Sequence, residues 1–287
     1  MVGLGKMGGN MTARLGVEGH EVVGYDAYSD ESDVASLAEL VDRLAAPRVV
    51  WVMVPSGDPT EQVIADLAGL LVPGDVVVDG GNSNWHDSVR RGGELRGAGI
   101  GFVDCGTSGG VWGRDEGYCL MVGGSDEHVA TCRPLFDALK PPDGGFVHAG
   151  PVGTGHFTKM VHNGIEYGLM QSYAEGYELL ARSGLGIDVE GALDAWRSGS
   201  VVRSWLLDLM VRALQATPDL AGIRAYAADS GEGRWTVQEA VERGVATPVI
   251  SAALFARFVS QDEEATPMKV IAALRHQFGG HAFEKAP

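Results

Sequence analysis

Gly3-Leu4-Gly5-Lys6-Met7-Gly8 opens the chain, leads into a helical stretch over 10–18, and is followed by a β-branched run over 21–25 that ends at Asp26. Glycines at this spacing divide three tasks: the first makes a tight turn, the second lets backbone approach a pyrophosphate, and the third lets a helix pack closely on a strand. Phosphates then rest on the helix N-terminus, where N–H groups and the helix dipole favour anions. Eighteen residues after Gly8, Asp26 stands where a carboxylate accepts hydrogen bonds from adenosine ribose hydroxyls. The same carboxylate repels a ribose 2′-phosphate, and Tyr25, Ala27 and Tyr28 supply no arginine to bind one, so the reading favours NAD over NADP. Two features are irregular. Only Met1 and Val2 precede Gly3, which places the recorded start inside a first strand that ordinarily needs ~5 residues. Residues 27–47 leave room for one helix, around 36–44, but not for the helix, strand and helix usual at this point.

Outward from this turn, short β-branched runs recur at 21–25, 48–54, 75–79, 100–104 and 118–122, separated by glycine-rich turns and helical stretches. That alternation predicts βαβ units around a parallel sheet, a Rossmann-type α/β domain. After Pro151 helical periodicity takes over, at 156–183, 189–197, 204–216, 249–260 and 267–278. Residues 150–155, Gly-Pro-Val-Gly-Thr-Gly, suit a connector. The expected organisation is a dinucleotide-binding domain over 1–150 and an all-α domain over 151–287.

The 287 residues suffice for two cores. A formal charge of −16 disfavours nucleic acid and anionic membrane surfaces, so a phosphorylated ligand needs a locally basic pocket. Cys105, Cys119 and Cys132 are an odd number without CxxC spacing, which predicts reduced, mostly buried thiols and no zinc site. No apolar run approaches a membrane span and no signal sequence is visible, so a cytoplasmic location is expected.

The densest functional cluster is His156-Phe157-Thr158-Lys159-Met160-Val161-His162-Asn163-Gly164-Ile165-Glu166-Tyr167-Gly168. On a helix, Lys159, His162, Asn163, Glu166 and Tyr167 fall within an arc of about 140°. A solvated face carries interchangeable charges; this one combines an amine, an imidazole, an amide, a carboxyl and a phenol, which points to a site. There is no HExxH spacing, and no metal is expected.

Gly155 through Tyr167 closely resembles the signature of 6-phosphogluconate dehydrogenases. Other segments agree in order: Asp79-Gly80-Gly81-Asn82-Ser83, then Thr107-Ser108-Gly109-Gly110, then Gly117-Tyr118-Cys119-Leu120-Met121-Val122-Gly123-Gly124. The length resembles the short-chain branch. The resemblance implies oxidative decarboxylation of 6-phosphogluconate to ribulose 5-phosphate, in the pentose phosphate pathway, with NAD reduced. It implies Lys159 as general base and Glu166 as proton donor. Asn82 is implied to contact nicotinamide and substrate, completing a cofactor set of Gly3, Gly5, Lys6, Met7, Gly8, Asp26, Val54 and Pro55. Ser108, Gly109, Gly110, His162, Asn163 and Tyr167 are implied substrate ligands. Arg257 resembles a phosphate-binding arginine, and Arg275 and His281 lie in a segment similar to the family's tail, which reaches a neighbouring subunit's site; a homodimer or homotetramer is therefore expected. One departure stands out: residues 229–236 resemble a segment that carries a phosphate-contacting lysine in long-chain members, and here Arg234 is the available cation. The competing readings are a related β-hydroxyacid dehydrogenase, such as one acting on 3-hydroxyisobutyrate, and an inactive nucleotide-binding protein that kept the fold.

Overall fold

The computed structural model describes residues 1–279 and 282. The chain divides into two compact units, Met1–His162 and Asn163–Pro287. The first is a sheet with helices on both faces. Five strands, β1 (Val49–Val52), β2 (Val76–Asp79), β3 (Gly101–Ser108), β4 (Cys119–Gly123) and β5 (Phe146–Gly150), lie side by side in chain order. Beyond β1 the sheet continues as single bridges: Val2 pairs with Val52 on one side and Tyr25 on the other, both parallel.

Two expectations are corrected here. The run at 21–25 forms no ladder and contributes one bridge, Val2 to Tyr25, flanked by the Tyr25 N–H donating to the Met1 carbonyl and the Gly3 N–H donating to the Tyr25 carbonyl. The sheet is mixed: β3 and β4 are antiparallel, the other ladders parallel. The link between them, residues 109–118, holds only a 3₁₀ turn (Gly110–Trp112) and a four-residue helix, too short for the crossover of a dozen or more residues that a parallel pair requires.

The strands read as continuous apolar runs because both faces are covered. Val76 and Val78 join a core cluster with Phe136, Leu120 and Val122, while Val77, between them, joins a second with Ile64, Leu67 and Phe102. The covering helices are α1 (Lys6–Val17), α2 (Leu37–Arg43), α3 (Asp58–Leu70), α4 (Trp85–Gly97), the short α5 (Gly113–Glu116) and α6 (Asp126–Leu139). Ser36 and Ser125 start α2 and α6 by accepting the N–H three residues on, as N-caps do.

The long helix α7 (Thr154–Ala181) begins in the first unit and runs into the second. There follow α8 (Val189–Trp196), α9 (Trp205–Ala216), α10 (Glu232–Glu242), α11 (Pro248–Gln261) and α12 (Thr266–Gly279). The sequence reading did not include α10. Close packing on α7 holds it: a Cβ on Gly233 would lie 2.4 Å from the Tyr167 ring, and one on Gly164 would lie 2.6 Å from Thr236. No helix among the described residues is long and apolar enough to cross a membrane.

Candidate active site

The chain runs from Val2 out to Tyr25 on one side and then back to β1 on the other, so strand order reverses at Val2. A crevice at such a switch point, beyond the carboxyl ends of the strands, is where open α/β sheets take their ligands. Gly3, Asp26, Val54 and Asn82 all follow carboxyl ends of neighbouring strands or bridges. Gly3 has φ +91°, and a Cβ there would stand 2.7 Å from the Met53 carbonyl oxygen; one on Gly8 would stand 1.9 Å from the Gly3 carbonyl oxygen. Those two glycines let the turn, β1 and α1 close on one another. Gly5 differs: a Cβ would meet nothing within 4 Å, and Gly5 is the N-cap of α1 with no side chain capping the helix. Its backbone therefore faces open space at the positive end of a helix dipole. Lys6 is exposed beside it, whereas Met7 packs on the core. The half-buried Asp26 carboxylate accepts N–H bonds from Leu4 (2.8 Å) and Tyr28 (2.9 Å), so it also braces the glycine turn, a task its position in sequence did not reveal. Val54 is half-buried and Pro55 exposed.

Exposed Asn82 sits between two residues fixed by one buried carboxylate. Asp79, at the end of β2, accepts from the Gly81 N–H (3.3 Å) and the Ser83 hydroxyl (2.8 Å). The buried Arg91 guanidinium donates to the same carboxylate at 3.2 Å and to Glu61 at 2.8 Å. Arg90 and Arg91 together hold the Glu61 carboxyl down at about 2, the hydrogen bonds from Arg90 outweighing the opposing cost of burial.

The seating of α7 follows from two periodicities. Residues 104, 106 and 108 share one face of β3, and each meets α7 about one helical turn further on. The buried Asp104 carboxylate accepts from the N–H of Gly153 (2.7 Å) and of His156 (2.8 Å), capping the first turn from across the fold. A Cβ on Gly106 would lie 2.3 Å from the Lys159 Cβ. Ser108 Oγ and His162 Nε2 lie 3.3 Å apart. Gly155 completes the contact, since a Cβ there would strike the Asp104 and Met121 carbonyls at 2.5 and 2.6 Å. His156 is buried, with Nδ1 hydrogen-bonded to Ser88 Oγ of α4 at 2.7 Å. Lys159 is 6% exposed.

Beyond His162 the same helix carries Asn163, Glu166 and Tyr167 in the second unit, with Asn163 and Tyr167 buried and Glu166 half-buried. The Tyr167 hydroxyl lies 3.3 Å from both Asp229 Oδ1 and Ser230 Oγ. The Arg257 guanidinium stacks 3.4 Å from the Tyr167 ring centroid and donates to the Ala228 carbonyl at 2.8 Å. Arg234 pairs with Asp229 at 2.8 Å and covers the Phe258 ring, so it works inside this cluster. Burial acts to raise the Asp229 carboxyl, but the Gly231 N–H and Arg234 overcome it and hold it below its ordinary range. Arg275 is exposed on α12, apart from that cluster's bonds, and His281 lies outside the described residues.

Residues 1–141 match the NAD-binding domain of 6-phosphogluconate dehydrogenase, and residues 155–266 match the 6-phosphogluconate dehydrogenase C-terminal domain. The 6-phosphogluconate dehydrogenase, NAD(+)-dependent, decarboxylating, of Haloferax volcanii is 41% identical over 291 residues, covering 98% of this chain and 96% of its own. The chain belongs to the 6-phosphogluconate dehydrogenase family. The protein YqeC of Bacillus subtilis is 42% identical over 295 residues, covering 99% of this chain and 98% of that one. The Plasmodium falciparum 6-phosphogluconate dehydrogenase, solved apo, with NADP+ and with 6-phosphogluconate, matches with a TM-score of 0.81 at 26% identity; the match covers all of this chain and 66% of that one.

Within this 6-phosphogluconate dehydrogenase framework, sequence reasoning did not single out Asp104, Gly106 or the Asp79–Arg91 pair. A signal for the first two existed in the chain: an aspartate and a glycine two apart on a buried strand, where an apolar run would otherwise continue. Their partners are about fifty residues away, and no local pattern names them.

Proposed function

We propose that this chain oxidises and decarboxylates 6-phosphogluconate to ribulose 5-phosphate and carbon dioxide, with NAD as the preferred hydride acceptor. Family membership supports the reaction, and the seating of Lys159 against Gly106, one turn before His162 and its Ser108 contact, is the observation that carries the site assignment. The residues fit a dinucleotide: open space at Gly5, an uncapped α1 N-terminus, and the Asp26 carboxylate beside the turn. Asp26 supports NAD over NADP by charge, as does the NAD(+) dependence named for the Haloferax relative.

When bound, nicotinamide dinucleotide supplies the hydride acceptor. A neutral Lys159 takes the proton of the carbon-3 hydroxyl as that hydride leaves. Free lysine titrates at ~10.4, so surroundings that disfavour the ammonium are needed for this step. The resulting β-keto acid loses carbon dioxide, and the Lys159 ammonium donates to the developing enolate oxygen. Glu166, two turns along the same helix, protonates carbon 1 of the enediol. Asn82, Ser108, Gly109, Gly110, His162, Asn163 and Tyr167 orient the sugar acid, with Arg257, Arg275 and His281 assigned to its phosphate end. Exposed Met268, Val270, Ile271 and Leu274 on α12 support burial of that helix by a second copy, whose tail would bring Arg275 and His281 to a neighbouring site.

The test is a spectrophotometric assay with 6-phosphogluconate and either NAD or NADP, with carbon dioxide trapped. Reduced cofactor and carbon dioxide in equal amounts, faster with NAD, is the expected result. Turnover of 3-hydroxyisobutyrate in place of 6-phosphogluconate would overturn the reading.

A further inference from the structure

Arg14, near the end of α1, reaches across the unit to residues 100 to 126 positions away. Its Nη1 donates to the carbonyl oxygens of Arg114 (3.1 Å) and Asp115 (3.4 Å), its Nε to Ala138 (3.0 Å), and its Nη2 to Lys140 (3.1 Å). Those carbonyls end two helices, α5 and α6, so one cation closes two C-terminal ends that both favour positive charge. A guanidinium presents several donors in one plane, and the ammonium of a lysine could not span this set.

The segment Arg14 grips is the continuation of Ser108-Gly109-Gly110, which runs without a break through the 3₁₀ turn into α5. That segment wraps the buried Tyr118 ring: a Cβ on Gly113 would lie 2.0 Å from the ring, and one on Gly109 would lie 3.3 Å from it. At the far end a Cβ on Gly117 would lie 2.5 Å from the Pro141 nitrogen, beside the Lys140 carbonyl that Arg14 also holds. The loop's conformation is therefore braced by contacts at its back, and the guanidinium among them belongs to the helix that starts at the glycine turn.

We propose that Arg14 is a positioning residue that fixes the loop over 108–117 to α1, so that the sugar acid and the dinucleotide are registered on one rigid element. This rests on the proposed function's placing of substrate at Ser108–Gly110. Arg14 itself touches neither ligand.

The test compares the full-length protein with Arg14→Met, which keeps bulk without donors, and Arg14→Lys, which keeps the charge should the first variant not fold. With Arg14→Met the KM for 6-phosphogluconate rises roughly tenfold and kcat falls several-fold, because the sugar acid is no longer registered to the dinucleotide, while the Kd for NAD stays within about twofold; Arg14→Lys falls between. Amide hydrogen exchange speeds up across 108–117 and is unchanged across 6–17. Wild-type KM together with wild-type exchange in the loop overturns the proposal, as does an equal loss of NAD binding with faster exchange across α1, which would make Arg14 a general packing residue. If the wild-type protein does not turn over 6-phosphogluconate, the functional reading has failed, and loop exchange alone decides the role of Arg14.

Discussion

Gly106 and Lys159 meet with no room for another carbon between them: a Cβ on Gly106 would stand 2.3 Å from the Lys159 Cβ and 2.9 Å from its Cγ. The lysine stem lies directly on strand backbone, and the missing side chain on β3 sets where the amine sits. Gly106→Ala is expected to push α7 off β3, lowering stability by about 1–3 kcal/mol as overpacking does. It should reduce turnover by a larger factor than any loss of folded protein explains. Thermal unfolding and kcat measured on the same preparation check this; wild-type values for both would mean the contact is slack.

Asp104 caps α7 from a neighbouring strand, and its two oxygens serve two different N–H groups. Asp104→Asn keeps the shape but turns an amide NH2 toward one of those donors. Leaving a buried N–H unpaired costs about 1–3 kcal/mol. A lowered urea midpoint with an unchanged slope is expected, and an unchanged midpoint would show that the cap is dispensable.

Lys159→Ala is expected to abolish turnover while NAD still binds, because the substitution leaves the glycine turn and its Asp26 brace unchanged. Glu166→Gln should spare hydride transfer in single-turnover experiments and slow the later proton transfers. Normal steady-state turnover by Lys159→Ala would remove the proposed base.

Asp26→Ser with Ala27→Arg exchanges a carboxylate for a guanidinium at the ribose end and should raise the NADP to NAD ratio of kcat/KM by about tenfold or more. The serine side chain is too short to reach both Leu4 and Tyr28 as Asp26 does. A stability loss of about 1 kcal/mol is therefore expected alongside. A ratio that does not move would separate Asp26 from cofactor choice.

The three cysteines differ sharply in reactivity. Burial pushes the Cys132 thiol up to about 12 and the Cys105 thiol higher still, while Cys119 is exposed at the start of β4. Intact-mass analysis after iodoacetamide treatment at neutral pH should find one adduct on the folded protein, at Cys119, and three after denaturation. Early modification of Cys105 would mean that β3 opens readily.

Periodicity and turn chemistry made much of this molecule legible in the chain: alternating units followed by helices, a glycine turn with an acid eighteen residues on, and five polar groups on one helical face. Each is a local pattern, written by residues within one or two turns or strand lengths of each other, and so it survives without coordinates. The antiparallel return of β4 followed from a ten-residue link whose length was visible, although its consequence for strand direction emerged only once β3 and β4 were paired. The partners of Asp104 and Gly106 on α7 and the four carbonyls around Arg14 were not legible at all. They join positions roughly 50 to 126 apart, where a strand repeating every two residues meets helices repeating every 3.6, and that register exists only when the elements are packed.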